Sequence, residues 1–228
     1  MSTLAGVRKE LAGLADSARA EVMQRFFKTG KGQYGEGDVF IGLSVPQSRQ
    51  VAKKHSGIPL EGVKELLYSK IHEERLVALL ILVQKFKADP EGVARLYLDN
   101  LSQVNNWDLV DTSAPAILGA YLEKRDRSVL YRLARSERLW DRRVAIIATQ
   151  HFIRKGDYGD TLKISEMLLG DSHDLMHKAV GWMLREVGKR DTAAEEEFLQ
   201  KHCKKMPRTM LRYAIERLPE KKRRAYMA

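Results

Sequence analysis

Apolar residues return every three or four positions through almost the whole of this 228-residue chain. That period places them along one side of an α-helix, whereas a strand would alternate with a period of two, and no convincing run of such alternation occurs. From Lys70 onward the helical segments come in pairs, with Pro, Gly, Asp or Ser at the breaks. The chain is therefore predicted to be all-α.

The helix pairs repeat at a nearly constant interval. In each pair a longer helix is expected to follow a shorter one. The longer helices are predicted to start near Ile71, Asn106, Leu139, Ser172 and Pro207, at spacings of 35, 33, 33 and 35 residues. Two-helix repeats of this length cannot bury their apolar faces alone and stack into a solenoid with a shared core. We therefore predict a single α-solenoid domain over residues 1–228, with about six helix pairs.

Aligning the repeats singles out two residues. The alignment makes Val77, Val110, Val144 and Ala179 equivalent. Asp111 then stands where the other repeats have Ala78, Ala145 and Val180, and Trp107 where they have Glu74, Asp141 and Met176. Stacking alone does not require these exceptions, so both are candidates for function on one side of a predicted helix. Ordinary packing, with a carboxylate that suits the helix dipole, is the alternative.

The N-terminal part predicts four further helices: Thr3 to Leu14, one starting near Asp16 or Ser17, one with Pro46 in its first turn, and one starting near Pro59. Between them, Gly30 to Asp38 contains four glycines around Tyr34. The segment does not match the phosphate-binding pattern GxxxxGK[ST], so a flexible surface connector is preferred over a loop that touches nucleic acid.

The net charge of +10 indicates a polyanionic partner. Nucleic acid, ribosomes and anionic lipid all remain open on charge alone. No apolar run approaches the roughly 18 to 20 residues that cross a bilayer, and the N-terminal stretch lacks a continuous apolar signal core, so a cytoplasmic protein is expected. Cys203 is the single cysteine, which excludes an intrachain disulfide and a cysteine-based zinc site.

Basic and aromatic residues occur together on the later helices. Arg142 and Arg143 begin one long helix, and Lys178, Trp182 and Arg185 lie on the next. Arg143 and Lys178 are equivalent in the alignment and would form a basic stripe beside Asp111. An indole within such a stripe is typical of nucleic-acid contact, although a solvated helix face and core packing are the alternatives.

The C-terminal part contributes further candidate DNA contacts: Lys204, Lys205, Arg208, Arg212 and the run Lys221 to Arg224. These residues would reach phosphates or maintain solubility. The acidic run Glu195 to Glu197 is interpreted as a solvated helix face. His173 and His177 are four residues apart, as metal ligands on a helix can be, but neither an HExxH glutamate nor a third ligand is evident, so no metal site is predicted.

The segments WDLVD, WDRR and KAVGWMLRE, preceded by FIGLSVPQSRQ, resemble the AlkD-like DNA alkylation repair family of HEAT-like-repeat alkylpurine DNA glycosylases. Each motif is weak alone, but their order and spacing are fairly specific, from about residue 20 to about residue 220. The glycine-rich loop before Phe40 looks longer than in some members.

The resemblance implies a HEAT-like solenoid whose concave face binds duplex DNA carrying alkylated bases. It implies that Asp111 is the catalytic carboxylate, Trp107 and Trp182 face the lesion, and Arg143 contacts a phosphate. No cofactor or metal is expected. The protein is expected to be a monomer, nucleoid-associated when bound to DNA.

The chemistry agrees with the residue types. A purine alkylated on a ring nitrogen is cationic and leaves without a general acid, while positive charge develops on the sugar. A carboxylate beside that sugar stabilises the charge and can orient a water. The alternatives are a non-catalytic module that binds DNA structures or a protein partner, and an RNA or ribosome binder.

Overall fold

The computed structural model describes residues 3–228, which form two compact units, one up to Ser113 and the other from Ala114 to Ala228. Helices dominate both units, and no strand occurs within the described residues, so the all-α prediction is confirmed. An isolated parallel bridge joins Val39 to Ile71. The helices are consistent with the predicted helical-repeat solenoid, whereas the single domain and the concave DNA-binding face stay predictions.

The first unit contains α1 (Leu4–Gly13), α2 (Ser17–Phe26), α3 (Val45–Lys54), α4 (Leu60–Leu67), α5 (His72–Lys85), α6 (Pro90–Asp99) and α7 (Trp107–Ser113). Thr3, Asp16 and Asp89 cap α1, α2 and α6 with their side chains, and Ser44 and Gln47 form a capping box at α3. These caps satisfy the first backbone N–H groups and explain why the four helices begin where they do.

The second unit begins with a π-helical turn, Pro115–Gly119. It continues with α8 (Ser128–Ala134), α9 (Leu139–Ala148), α10 (Gln150–Ile153), α11 (Gly159–Met167), α12 (Asp174–Gly188), α13 (Thr192–His202), α14 (Arg208–Ala214) and α15 (Glu220–Met227). Gly181 lets α12 approach α14 closely, because a Cβ there would lie 2.4 Å from the carbonyl oxygen of Met210. Short 3₁₀ turns cover Leu101–Gln103, Cys203–Lys205 and Ile215–Arg217.

The repeat spacing is confirmed in the helix starts, which fall at His72, Trp107, Leu139, Asp174 and Arg208. The aligned positions Val77, Val110, Val144 and Ala179 are all buried. The order of short and long helices was wrong for two pairs, since α7 and α14 each have 7 residues and follow longer helices. For α7 the reason is Pro115, which has no backbone N–H and cannot continue a regular α-helix.

The acidic run on α13 is not uniformly exposed. Glu196 and Glu197 pair with lysines at the surface, but Glu195 is only 3% exposed. The interpretation of all three as a solvated face was wrong, because the inner side of α13 includes Glu195 as well as Phe198 and Leu199. No helix within residues 3–228 is both long and apolar enough to cross a membrane.

Candidate functional site

Helix α7 presents Trp107 and Asp111, one helical turn apart, and both are partly exposed. At the position of Asp111, the other repeats have Ala78, Ala145 and Val180, each with no exposed surface. Asp111 is therefore solvent-accessible at a repeat position that is fully buried in the other repeats. An indole and a carboxylate on one accessible helix side are suited to bind a cationic group.

An aromatic stack supports Trp107 from within the first unit. The indole lies parallel to Phe27 at 5.1 Å between ring centroids, Phe27 stacks on Phe40 at 4.8 Å, and Phe40 stacks on His72 at 4.4 Å. Phe26 meets the indole edge to face at 6.0 Å. One face of Trp107 is thus fixed by packing, which leaves its position well defined for a ligand on the accessible side.

His72 ends this stack and is bound by two carboxylates. Its Nδ1 lies 3.0 Å from Asp38 and its Nε2 lies 2.8 Å from Asp108, and the residue is 1% exposed. Burial by itself would lower the pKa of His72, but the charge and hydrogen bond of Asp108, with the hydrogen bond of Asp38, raise that pKa to about 9. The imidazole is therefore a cation at neutral pH.

Asp38 accepts further hydrogen bonds. The Arg75 guanidinium binds Oδ1 of Asp38 at 2.5 Å, and the side-chain amide of Asn106 donates at 3.3 Å to Oδ2, the oxygen that also faces His72. Burial opposes ionisation, yet the hydrogen bond from His72 and the charge of Arg75 hold the pKa of Asp38 below its usual value. Two acids and two bases thus form a buried, electrically balanced centre.

Glu73 holds the segment that links the glycine-rich loop to α3. Its carboxylate accepts hydrogen bonds from the backbone N–H groups of Ile41, Gly42 and Leu43 at 2.8–3.2 Å. Gly42 has a φ of 89°, and a Cβ there would lie 2.1 Å from the Asp16 carbonyl oxygen. Only glycine fits this turn, which keeps Phe40 against His72.

Tyr97 supports the other end of α7. Its hydroxyl donates to Ser113 Oγ at 3.0 Å, because Ser113 itself donates to the Leu109 carbonyl at 2.6 Å. Burial, and to a smaller extent the charge of Asp111, raises the pKa of Tyr97. The side chain of Tyr97 is therefore a neutral, buried support close to Asp111.

An apolar cleft of about 340 Å³ opens beside Trp107 within the first unit. Val22, Phe26 and Val45 line it and are among the most exposed large apolar residues, at 56%, 63% and 46%. His72, Glu73 and Asp108 provide its polar lining. The Trp107 indole therefore borders both this apolar cleft and Asp108 in the first turn of α7.

In the second unit, the two arginines of α9 are engaged in internal contacts. Arg143 is 5% exposed and donates to the Leu175 carbonyl at 2.7 Å. Arg142 pairs with Asp171 at 2.6 Å and donates to the carbonyls of Ser136 and Glu137. Phosphate binding by either arginine stays a prediction, and in this conformation Arg143 has little exposed surface for it.

The predicted residues on α12 are partly exposed. Trp182 donates its indole N–H to Glu186 at 3.2 Å, Lys178 pairs with Asp174 at 2.7 Å, and Arg185 pairs with Glu216. Of these, the pair of Lys178 and Asp174 is solvent-exposed, so it is weak and can exchange for a phosphate at small cost. Among the C-terminal candidates, Lys204, Lys205, Arg208 and Arg212 are exposed, and Arg208 donates to the Met227 carbonyl.

The two histidines that suggested a metal site have other partners. His173 caps α12 by accepting a hydrogen bond from the Leu175 backbone N–H, and His177 binds the Asp171 carbonyl at 2.5 Å. Over residues 3–228 no group of three or more His, Cys, Asp or Glu side chains is arranged to hold a metal ion.

Asp38, His72 and Asp108 were not among the predicted site residues; His72 lies 34 residues after Asp38 and 36 residues before Asp108. A signal was present: α5 begins with four consecutive polar residues, His72 to Arg75, that precede an apolar run. A polar cluster at the start of a core helix indicates buried partners. The partners themselves could not be identified, because periodicity does not pair distant residues.

A family model described as DNA alkylation repair enzyme matches residues 7–218. A solved structure named as a predicted DNA alkylation repair enzyme from Enterococcus faecalis is similar in fold, with a TM-score of 0.73 and 18% identity over 90% of this chain and 97% of that one. The comparison with curated proteins finds no significant match. Because the family model spans nearly the whole sequence, this chain belongs to the DNA alkylation repair enzyme family.

Proposed function

We propose that this protein is a monofunctional DNA glycosylase of base excision repair. It hydrolyses the N-glycosidic bond of purines made cationic by alkylation at ring nitrogen 3 or 7 in duplex DNA, and leaves an abasic site. Membership of the alkylation repair family supports DNA as the partner. Asp111 and Trp107, accessible together on α7, support the reaction.

The main support for the proposal is that Asp111 places a carboxylate at a position where the other repeats have a buried apolar residue. A carboxylate weakens binding to phosphates by like-charge repulsion, so a pure DNA binder has no use for it there. It is favourable where positive charge develops. In this reaction that place is the deoxyribose as the cationic base departs.

Asp111 stabilises the oxocarbenium-like transition state and orients the attacking water. Trp107 and Trp182 contribute cation-π attraction to the base and sugar, about 0.5 to 2 kcal/mol each. Arg143 contacts a phosphate, and the further DNA contacts are Arg142, Lys178, Arg185, Lys204, Lys205, Arg208 and Arg212. The protein acts as a monomer in the cytoplasm, on the nucleoid.

The test is release of free base from duplex DNA methylated at ring nitrogen 7 of guanine, measured under single-turnover conditions. Asp111→Asn is expected to lower the rate about 100-fold or more, since it removes the charge and keeps the shape. Asp99→Asn is the matched control, because Asp99 is an exposed aspartate of the same unit at the end of α6. Its rate should stay within about twofold of wild type.

Salt-sensitive DNA binding without any base release, in wild type and variants alike, would identify a non-catalytic binder. Equal release by wild type and Asp111→Asn would remove Asp111 from the mechanism. Preference for single-stranded or A-form RNA over duplex DNA would point to an RNA-binding role.

A further inference from the structure

The first turn of α7 is bound to a buried charge centre in the first unit. Asn106 and Asp108 flank Trp107, and each reaches this centre: Asn106 donates to Asp38 at 3.3 Å, and Asp108 lies 2.8 Å from His72. The same side chains also bind the backbone of the turn, since Asn106 accepts from the Trp107 N–H and Asp108 from the Leu109 N–H, both at 2.9 Å.

We propose that His72 and Asp108 are positioning residues for base excision: the imidazolium of His72, held between Asp38 and Asp108, fixes the first turn of α7 and thereby places Trp107 and Asp111 against the lesion. This inference rests on the proposed glycosylase function. Neither residue needs to touch the substrate. A misplacement of about 1 Å in the residues that do can cost about 100-fold in rate.

The geometry requires a proton on each ring nitrogen of His72. Both nitrogens face carboxylates, so a neutral ring would turn a lone pair towards Asp38 or Asp108. Phe27 and Phe40 cover the ring, and the residue is 1% exposed, so the ring is shielded from bulk solvent. A neutral ring therefore donates to only one of the two carboxylates and weakens the contact with the other.

The charges around His72 come from three elements. Asp38 is contributed by the loop before α3, Asp108 by α7, and Arg75 by α5 itself. The neighbouring Glu73 is bound to backbone N–H groups, and Glu74 pairs with Arg8, so both are otherwise engaged. With His72 protonated the two acids and two bases balance, whereas the deprotonated centre carries one uncompensated negative charge beside Trp107.

Asp108 lies on α7 itself, so its contact with His72 acts directly on the position of that helix. Helix α7 has only 7 residues and continues into a π-helical turn. A helix this short depends on its anchors rather than on its own propagation. The pKa of His72, about 9, keeps the anchor charged throughout the neutral range and releases it in more alkaline solution.

The kinetic experiment measures single-turnover base release and duplex DNA affinity for wild type, Asp108→Asn and His72→Gln. Each variant is expected to lower the rate about tenfold or more while the Kd for DNA changes less than about threefold. His55→Gln is the matched control. His55 is also buried and lies 2.9 Å from a carboxylate, that of Glu10, but it contacts α1 rather than α7.

The wild-type rate of base release should also fall as pH rises through about 9, where His72 loses its proton. The Asp108→Asn variant keeps a polar side chain of the same size, and its rate should not show this fall. A second readout needs no substrate. The indole N–H resonance of Trp107, assigned by its loss in Trp107→Phe, should shift with the same midpoint as the His72 ring resonances in free wild-type protein.

The outcomes separate the two proposals. The positioning role is overturned if a folded Asp108→Asn variant keeps full activity, or if the Trp107 resonance does not shift as His72 titrates. In either case the glycosylase function stands. Absence of base release in wild type removes the proposed function. The resonance experiment then still decides whether His72 holds α7: a shared midpoint supports the anchor, and a fixed resonance refutes it.

Discussion

Glu73 in the first unit and Glu195 in the second are equally buried glutamates, at 1% and 3% exposure, in opposite environments. Glu73 is bound by three consecutive backbone N–H groups. Glu195 Oε1 has no hydrogen-bond partner in the part of the chain that the structure describes, and burial, with the nearby Glu196, raises the pKa of Glu195 to about 7. Burial alone therefore does not decide the cost of a charge; the donors around it do.

This difference distinguishes the region beside the candidate site from the inner side of α13, where Glu195 is buried with Phe198 and Leu199. The first unit uses buried groups with several hydrogen bonds, Glu73 and the centre around His72, to fix the loop before α3 and the start of α7. In the second unit Glu195 is simply included by the inner side of α13. A Cβ added to Gly188 would lie only 1.9 Å from Oε2 of Glu195, so the carboxylate packs directly against this glycine.

The largest effect is expected for Glu73→Gln. All three N–H groups donate to Oε1, and Ile41 also donates to Oε2, so even an amide that keeps its oxygen at the Oε1 position places an NH2 group against the Ile41 N–H and weakens the set of hydrogen bonds. We expect the free energy of unfolding at neutral pH to fall by about 3 kcal/mol, measured by urea denaturation.

Glu74→Gln is the control for that change. Glu74 is the next residue and is 4% exposed, but it pairs with a half-exposed arginine, Arg8. Its replacement should cost about 1 kcal/mol. Equal losses at the two positions would mean that burial, and not the set of donors, determines the contribution.

Glu195→Gln is expected to have the opposite sign. Because the pKa of Glu195 is raised to about 7 in the folded chain from 4.5, the folded state binds the proton more tightly, and stability is lost as pH rises from 4.5 through 7. Glutamine does not ionise, so the variant should be more stable than wild type by about 2 to 3 kcal/mol at about pH 8.

The pH profile of the Glu195→Gln effect provides its check. The gain should vanish at about pH 4.5, where wild-type Glu195 is protonated in the folded chain. Glu196→Gln, which removes a surface pair with Lys222, should show no comparable gain. A stability difference that is the same at both pH values would show that shape, and not ionisation, distinguishes the two side chains.

The sequence predicted the parts of this architecture that depend on local order. Apolar periodicity identified the helices, and the repeat spacing located the starts of α5, α7, α9, α12 and α14 to within about two residues. The same alignment singled out Asp111, whose partial exposure differs from the closed equivalents. Asp16 could be expected to cap α2 because a capping side chain acts on its own helix.

The sequence did not predict contacts that join distant residues. Phe27 stacks on Trp107 across 80 positions of chain, and Glu195 looked identical to its exposed neighbours. Neither Glu73 nor Glu195 could be assigned an environment from pattern, since the donors of Glu73 lie about 30 residues earlier and Glu195 differs from Glu196 only in which side of α13 it occupies.

The smallest effect is expected at Glu10, a carboxylate that completes the comparison because it is partly exposed and well paired. It lies 2.8 Å from Lys54 and 2.9 Å from His55, and these hydrogen bonds lower the pKa of Glu10. Solvent and salt screen such a pair, so Glu10→Gln should cost less than about 1 kcal/mol in unfolding experiments. The loss should shrink further between about 0.05 and about 0.5 M salt, whereas the Glu73→Gln loss should barely change. A salt-independent loss at Glu10 as large as that at Glu73 would contradict this, because it would place both carboxylates in the same environment despite their different exposure.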